Sequence, residues 1–427
     1  MKTPQWIVLL TLLALAPVVE AALEVTVRGG RQDAVPVAVV PFAGTEQGDD
    51  VAAIIADDLS GSGLFRALPR NDMLTRPTHP DQVRYVNWRS VKVQHVVLGR
   101  VEPREDDTST LRFWLLNVPQ ERESLSFSFS SRNVDLRYAA HRIADQIYQE
   151  LTGIRGVFNT DIVFVTSAER DGAQEYRLVM ADADGANERT LTRSREPLLS
   201  PAFSAQRDRV AYVAFQDGLP GIYVQTLENG QIRKLVSREG INGAPAFSPD
   251  GRRLAATLSF EGNPEIYWID LASERTTRLT RNSAIDTEPV WSPDGRSIYF
   301  TSDRAGRANI YRMDSTGGGV ERITFEGISN ARPDMSPDGK RLTYVQQTRN
   351  GYQIAVHELD SGETRLLTPG PLDESPRWAP NGDVIIYSAK GTNGRAELAT
   401  VTVSSGVRRE LRQAGEVREP AWSPFVD

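Results

Sequence analysis

Six short segments of this chain fall into one register: Pro201-Ala-Phe-Ser204, Pro245-Ala-Phe-Ser248, Pro289-Val-Trp-Ser292, Pro333-Asp-Met-Ser336, Pro376-Arg-Trp-Ala379 and Pro420-Ala-Trp-Ser423. Their prolines are 44, 44, 44, 43 and 44 residues apart. A fixed period in the forties, built from short strands and Gly-rich turns, is the signature of a β-propeller. Within a unit, the Pro-x-aromatic-Ser strand runs into a turn such as Ser248-Pro-Asp-Gly251, Ser292-Pro-Asp-Gly295 or Ser336-Pro-Asp-Gly339, with Ala379-Pro-Asn-Gly382 a close variant. Ser first, Pro second and Gly fourth is type I turn chemistry. A second strand follows (Ser297 to Ser302, for instance). A third carries Ile222-Tyr223, Ile266-Tyr267, Ile310-Tyr311 or Ile354-Ala355, and a fourth ends in Leu191-Thr192, Leu279-Thr280, Ile323-Thr324 or Leu367-Thr368.

The two ends of the repeat set the blade number. Asp161 to Thr192 supplies three strands with no Pro-x-aromatic-Ser strand before them, and Pro420 to Ser423 is such a strand with no others after it. The last strand is therefore expected to complete the first blade and close a ring of six. Closure removes two sheet edges that would otherwise invite aggregation.

Residues before the repeat read differently. Val35 to Pro41 is a buried strand, and Asp49 to Leu59 a helix with Val51, Ile54, Ile55 and Leu59 on one face. Val93 to Gly99, Leu111 to Val118 and Leu125 to Ser130 are further strands. Asp135 to Leu151 is a second helix, with Leu136, Ala139, Ala140, Ile143, Ile147 and Leu151 at helical spacing, ended by Thr152-Gly153. The expected architecture is an α/β N-terminal domain plus an all-β six-bladed propeller. Its expected segments are 1–21 as a signal peptide, 22–152 as the α/β domain, 153–160 as a linker and 161–427 as the propeller.

The signal-peptide reading rests on Lys2, the apolar run from Trp6 to Ala16, the helix-breaking Pro17 and the small-x-small pattern Val19-Glu20-Ala21. The run is too short to span a bilayer. The chain has no cysteine, which excludes a lipid-modified cysteine, disulfides and thiolate metal sites. A soluble periplasmic protein is the simplest fit. The net charge of −7 and scattered basic residues argue against nucleic acid and against an anionic membrane surface.

Catalysis finds little support. There is no Gly-x-Ser-x-Gly elbow, and His79, His95, His141 and His357 show no ligand spacing. The recurring Asp250, Asp294 and Asp338 are what the turns require, and the ladder Phe203, Phe247, Trp291, Trp378 and Trp422 suits packing between blades. The informative loops enter each innermost strand and, with the second-to-third strand loops, ring one mouth of the central channel. Glu288, Glu374 and Glu419 could hold a calcium ion, but Arg332, Arg377 and Arg418 nearby favour charge compensation, so no metal or other cofactor is expected.

Taken together, the exported N-terminus, Ile55-Ala-Asp-Asp-Leu-Ser-Gly-Ser-Gly-Leu-Phe65, the six Pro-x-Trp-Ser-Pro-Asp-Gly-like repeats and the terminal Pro420-Ala-Trp-Ser-Pro-Phe425 closely resemble the TolB family of the Tol-Pal system over essentially the whole chain. The resemblance implies a monomeric periplasmic adaptor. In the family the propeller mouth binds Pal, the peptidoglycan-associated lipoprotein, and the mature N-terminal segment binds TolA. The system supports outer-membrane integrity and constriction at division, and colicin-type bacteriocins compete for the Pal site in some members. Carried onto this chain, the Pal-contacting loops are Asn242-Gly243-Ala244 and Asp286-Thr287-Glu288, with Ala244 and Thr287 the best single candidates. The chain departs from the family at Ile241, commonly a histidine, which bears on fine partner specificity. The TolA segment corresponds to Leu23 to Asp33, centred on Leu23, Glu24, Val25, Thr26 and Val27. Alternation through Val27 suits adding a strand to a partner's sheet; a frayed terminus or a first strand of the domain fits as well. Two other classes fit the sequence less well. A propeller-gated serine peptidase needs a hydrolase domain and nucleophile elbow that the short remainder lacks. A periplasmic sugar-binding propeller needs exposed aromatics at the mouth, where the entering loops are mostly small and charged.

Overall fold

The computed structural model describes residues 27–28, 34–45, 47–170, 172–216, 218–391, 394–411, 413 and 415–425. In the N-terminal domain, β1 is Val27–Arg28, β2 is Val35–Val39, α1 is Gln47–Gly61, β3 is Phe65–Ala67, α2 is Tyr85–Ser90, β4 is His95–Pro103, β5 is Thr108–Asn117, β6 is Arg122–Arg132 and α3 is Leu136–Thr152. Five of these strands form one sheet in the order β3-β2-β4-β5-β6, parallel around β2 and antiparallel beyond β4.

Strand periodicity explains why β2 is apolar throughout. Successive side chains point to opposite faces, and both faces are covered. Val37 and Val39 join α1 and α3 in one core, through Val51, Ile55, Leu59, Ile143 and Ile147. Ala38 and Val40 join Trp88 of α2, Val96, Leu98 and Trp114 in the other. The short α2, which the sequence reading passed over, exists to lay Trp88 on that second face. Gly153 ends α3 at φ +74°, and its amide donates to the Gln149 carbonyl at 2.8 Å.

The stretch after α3 is packed against both domains. Asp145 accepts amide hydrogens from Phe158 (2.8 Å) and Asn159 (3.2 Å), and the Phe158 ring meets Tyr148 edge-on. Gly156 passes so close to α3 that a Cβ there would lie 2.6 Å from the Asp145 Cα.

The rest of the chain forms six antiparallel sheets, each with one innermost strand. Blade one is closed by the C-terminal strand. Glu416–Trp422 pairs antiparallel with Asp161–Arg170, placing Trp422 opposite Ile162. Ser423 donates its amide to the Asp161 carbonyl (2.9 Å), and Trp422 Nε1 donates to Thr160 Oγ1 (2.7 Å). The Ser-Pro-Asp-Gly segments are turns: Gly251 donates to the Ser248 carbonyl, and Ser248 Oγ accepts from the Arg253 amide, each at 2.9 Å. The recurring threonines are also structural. Thr280, Thr324 and Thr368 accept from the amides of Ile266, Ile310 and Ile354 through Oγ1 at 2.9–3.0 Å, tying the fourth strand to the third.

Two further features position the functional surfaces. The N-terminal domain sits against the turn face of the propeller, touching Asn381 in a first-to-second turn and Asp182 and Asp184 in a third-to-fourth turn. The mouth lies on the opposite face. In addition, β1 pairs antiparallel with Arg408–Leu411, the outer strand of blade six, with Val27 opposite Arg409 and Arg28 opposite Arg408. These two residues are neither frayed nor part of the N-terminal sheet.

Candidate functional site

Each innermost strand carries a β-bulge at the residue directly before its proline. Ser200, Ala244, Glu288, Arg332, Ser375 and Glu419 have φ between +46° and +56°, and the pairing register shifts at each. A following proline disfavours the right-handed helical region. The left-handed alternative is costly for a residue with a Cβ, so the surrounding structure must hold it. It does so with side chains: Glu288 donates its amide to Thr257 Oγ1 (3.2 Å), Glu419 to Ser388 Oγ (3.1 Å) and Arg332 to Glu288 Oε2 (2.9 Å). The bulge turns these six positions toward the channel axis.

Charge on this ring is compensated across it. Arg332 Nε lies 3.3 Å from Glu288 Oε1, and its Nη1 lies 3.6 Å from Glu419 Oε1 and bonds Ser375 Oγ. Glu374 is not a ring residue, because it lies two residues before Pro376 and Ser375 takes the bulge position directly before it. Arg377 pairs with Asp334 and Arg418 with Glu416 instead. Toward the turn face, a cavity of about 500 Å³ runs from this ring past Phe247, Trp378, Trp422 and the inner-strand prolines.

The six mouth residues named from sequence divide into three kinds. Ala244 and Glu288 are on the ring. Gly243 and Thr287 are part-exposed, Thr287 Oγ1 accepting from Thr257 Oγ1 at 3.2 Å. Asn242 and Asp286 are buried braces. Asn242 bonds the Arg238 amide (3.1 Å) and carbonyl (2.7 Å), while Asp286 binds Arg304 Nη2 and Asn282 Nδ2, each at 2.8 Å. They shape the loops and leave the contact surface to neighbours, of which Ile241 was marked from sequence and Ile285, Ile328 and Leu372 were not. Ile241 and Ile285 are each 48% exposed, and Leu372 occupies the same position four residues before its proline at 40%. With Ile328 they form an aliphatic collar around a polar ring. An apolar residue four positions before Pro245, Pro289 and Pro376 was the signal available, with Ile328 five before Pro333. Of the N-terminal segment, Leu23, Glu24, Val25 and Thr26 lie outside the described residues, and Val27 pairs on blade six as above.

A second polar cluster, invisible to spacing arguments, sits at the joint between the domains. His141 of α3 places Nδ1 2.7 Å from Asp58 Oδ2 of α1, both fully enclosed. Arg137 Nε bonds Asp182 Oδ2 at 2.9 Å, and its Nη2 bonds Asp184. Burial pushes the Asp58 carboxyl up, and the Asp58 and Asp184 carboxylates outweigh burial in holding the His141 imidazole above its ordinary value. Burial opposes charge on Asp184 too, but Arg137 and the Ala186 amide hold its pKa below the usual carboxylate range.

Comparison with known proteins agrees with this architecture. Residues 23–124 match the family model described as TolB amino-terminal domain, and residues 148–426 that described as TolB beta propeller domain. The chain is 54% identical over 425 residues to the Tol-Pal system protein TolB of Thioalkalivibrio sulfidiphilus, covering 98% of each. It is 53% identical over 434 residues to that of Nitrosococcus oceani, covering 99% of this chain and 100% of the relative. The crystal structure of TolB from Acinetobacter baumannii superposes with a TM-score of 0.88 at 36% identity, over 94% of this chain and 99% of that one. Matched end to end in both domains, the chain belongs to the TolB family of the Tol-Pal system.

Proposed function

We propose that this chain is a periplasmic adaptor that binds the lipoprotein Pal at the propeller mouth and TolA through its N-terminal segment, supporting outer-membrane integrity and invagination during division. Family membership makes it a non-enzymatic, envelope-associated component of the Tol-Pal system. The observation that carries the finer reading is the mouth itself. An aliphatic collar of Ile241, Ile285, Ile328 and Leu372 surrounds a ring of short and charge-paired side chains, on the face its own N-terminal domain leaves uncovered. Exposed apolar residues clustered around polar groups mark protein partners. Ala244 and Thr287 sit inside that collar.

The adaptor reading also gives β1 a role. Pal at the mouth alters whether the Leu23 to Asp33 segment is docked or free for TolA, and the edge of blade six is where Val27 and Arg28 dock.

The test is a pull-down of solubilised envelope proteins with the wild type and with Thr287→Arg. A bulky cation at the centre of an interface is expected to weaken capture of Pal about ten-fold or more. Capture of no lipoprotein by the wild type contradicts the reading.

A further inference from the structure

The joint between the domains gathers more carboxylates than guanidinium groups, with Asp58 buried, Asp182 and Asp184 part-buried and Asp57 exposed. Asp57 and Asp58 of α1 and Asp182 and Asp184 of blade one face two guanidinium groups, Arg137 of α3 and Arg409 of blade six. Asp145 of α3 adds to the field. Among the described residues, His141, Asp182 and Asp184 are the one group whose ligand atoms all lie within 4.8 Å of one another.

His141 supplies the second observation. It is only 2% exposed, and its Nε2 has no hydrogen-bond partner. That nitrogen points into the carboxylates, 4.0 Å from Asp182 Oδ2. Its Nδ1 is held by Asp58. A carboxylate on the far nitrogen is how proteins orient a metal-ligating histidine and raise its basicity.

We propose that this joint is a divalent transition-metal site, with His141 Nε2 and the carboxylates of Asp182 and Asp184 as ligands and Asp58 as the positioning residue behind the imidazole. One imidazole with two carboxylates selects zinc, manganese, iron or cobalt rather than calcium or magnesium, which take oxygen ligands. Zinc is the ion to which we commit. Arg137 bonds the Oδ2 atoms of both carboxylates, Asn187 Nδ2 also donates to Asp182 Oδ2 and the Ala186 amide to Asp184 Oδ1; each carboxylate retains further lone pairs, so these donors are competitors and not a bar. Binding ties α3 to the Asp182 to Arg189 turn and so fixes the N-terminal domain on the propeller. The rival occupant is a proton on His141, which needs no metal.

The test uses the full mature chain stripped with EDTA. Cobalt(II), read by its visible d–d absorption, and zinc, read by calorimetry, are titrated into the wild type, Asp58→Asn, His141→Ala and Asp182→Asn. The expected result is one saturable equivalent in the wild type. Affinity falls about 10- to 100-fold in Asp58→Asn, which keeps all three ligands, and binding is lost in the other two. Asp182→Asn leaves the Arg137 to Asp184 pair in place, so it remains informative should His141→Ala fail to fold. Absence of saturable binding in the wild type overturns the site and leaves the proton as occupant. Binding unchanged in Asp182→Asn also overturns it.

Discussion

Asp145 illustrates how one side chain acts through position rather than chemistry. It anchors the Phe158 and Asn159 amides, and burial pushes its pKa up to about 7 against those two hydrogen bonds. The folded chain therefore holds a proton that the unfolded chain releases near 3.8. The stability from that proton is complete below about pH 4 and is lost as pH rises through 7. Asp145→Asn stays neutral throughout. The stability of the wild type relative to Asp145→Asn is expected to fall by up to ~4 kcal/mol between pH 4 and pH 8 in urea titrations. A pH-independent difference contradicts the account. At this scale the sequence was legible where a residue type has one conformational use, as with the Ser-Pro-Asp-Gly turns. It was not legible where use depends on a distant partner. Asn242 and Asp286 look like surface loop residues until Arg238 and Arg304 are seen to enclose them. Likewise, proline flags the residue before it, but the bulge that gives Ala244 its φ of +46° arises only in the paired strand.

Among the elements, the C-terminal strand has the most consequence. Its existence and partner followed from counting strands at both ends, because a propeller repeat leaves a remainder that only ring closure uses. Trp422 anchors it, buried against Ile162, Phe164 and Val417 with Nε1 bonded to Thr160. Trp422→Ala is expected to cost about 3–5 kcal/mol, read as a lower chemical-denaturation midpoint. A loss below ~1 kcal/mol means the closure is not held there. The pairing of β1 was not legible, since alternation fits any sheet edge. Its choice of the outer strand of blade six comes from the domain packing that brings Ser62 against Thr402. The small helix α2 was missed because six residues are too few for a helical period to show.

Across the whole molecule, two faces of the propeller carry different work. The turn face receives the N-terminal domain through His141 and Arg137 of α3 and Asp182 and Asp184 of blade one, residues that come from two separated stretches of chain and so share no sequence pattern. The mouth face stays open, with its collar of aliphatic side chains around charge-paired residues. The repeat made that mouth locatable from sequence; which of its residues are exposed needed the fold. The most direct test is amide hydrogen exchange of the mature chain with and without the soluble domain of Pal. Protection is expected at residues 241–244 and 285–288, with altered exchange at 408–411 where β1 docks. Protection confined to the turn face, or none at the mouth under saturating Pal, contradicts the assignment of the mouth as the binding surface.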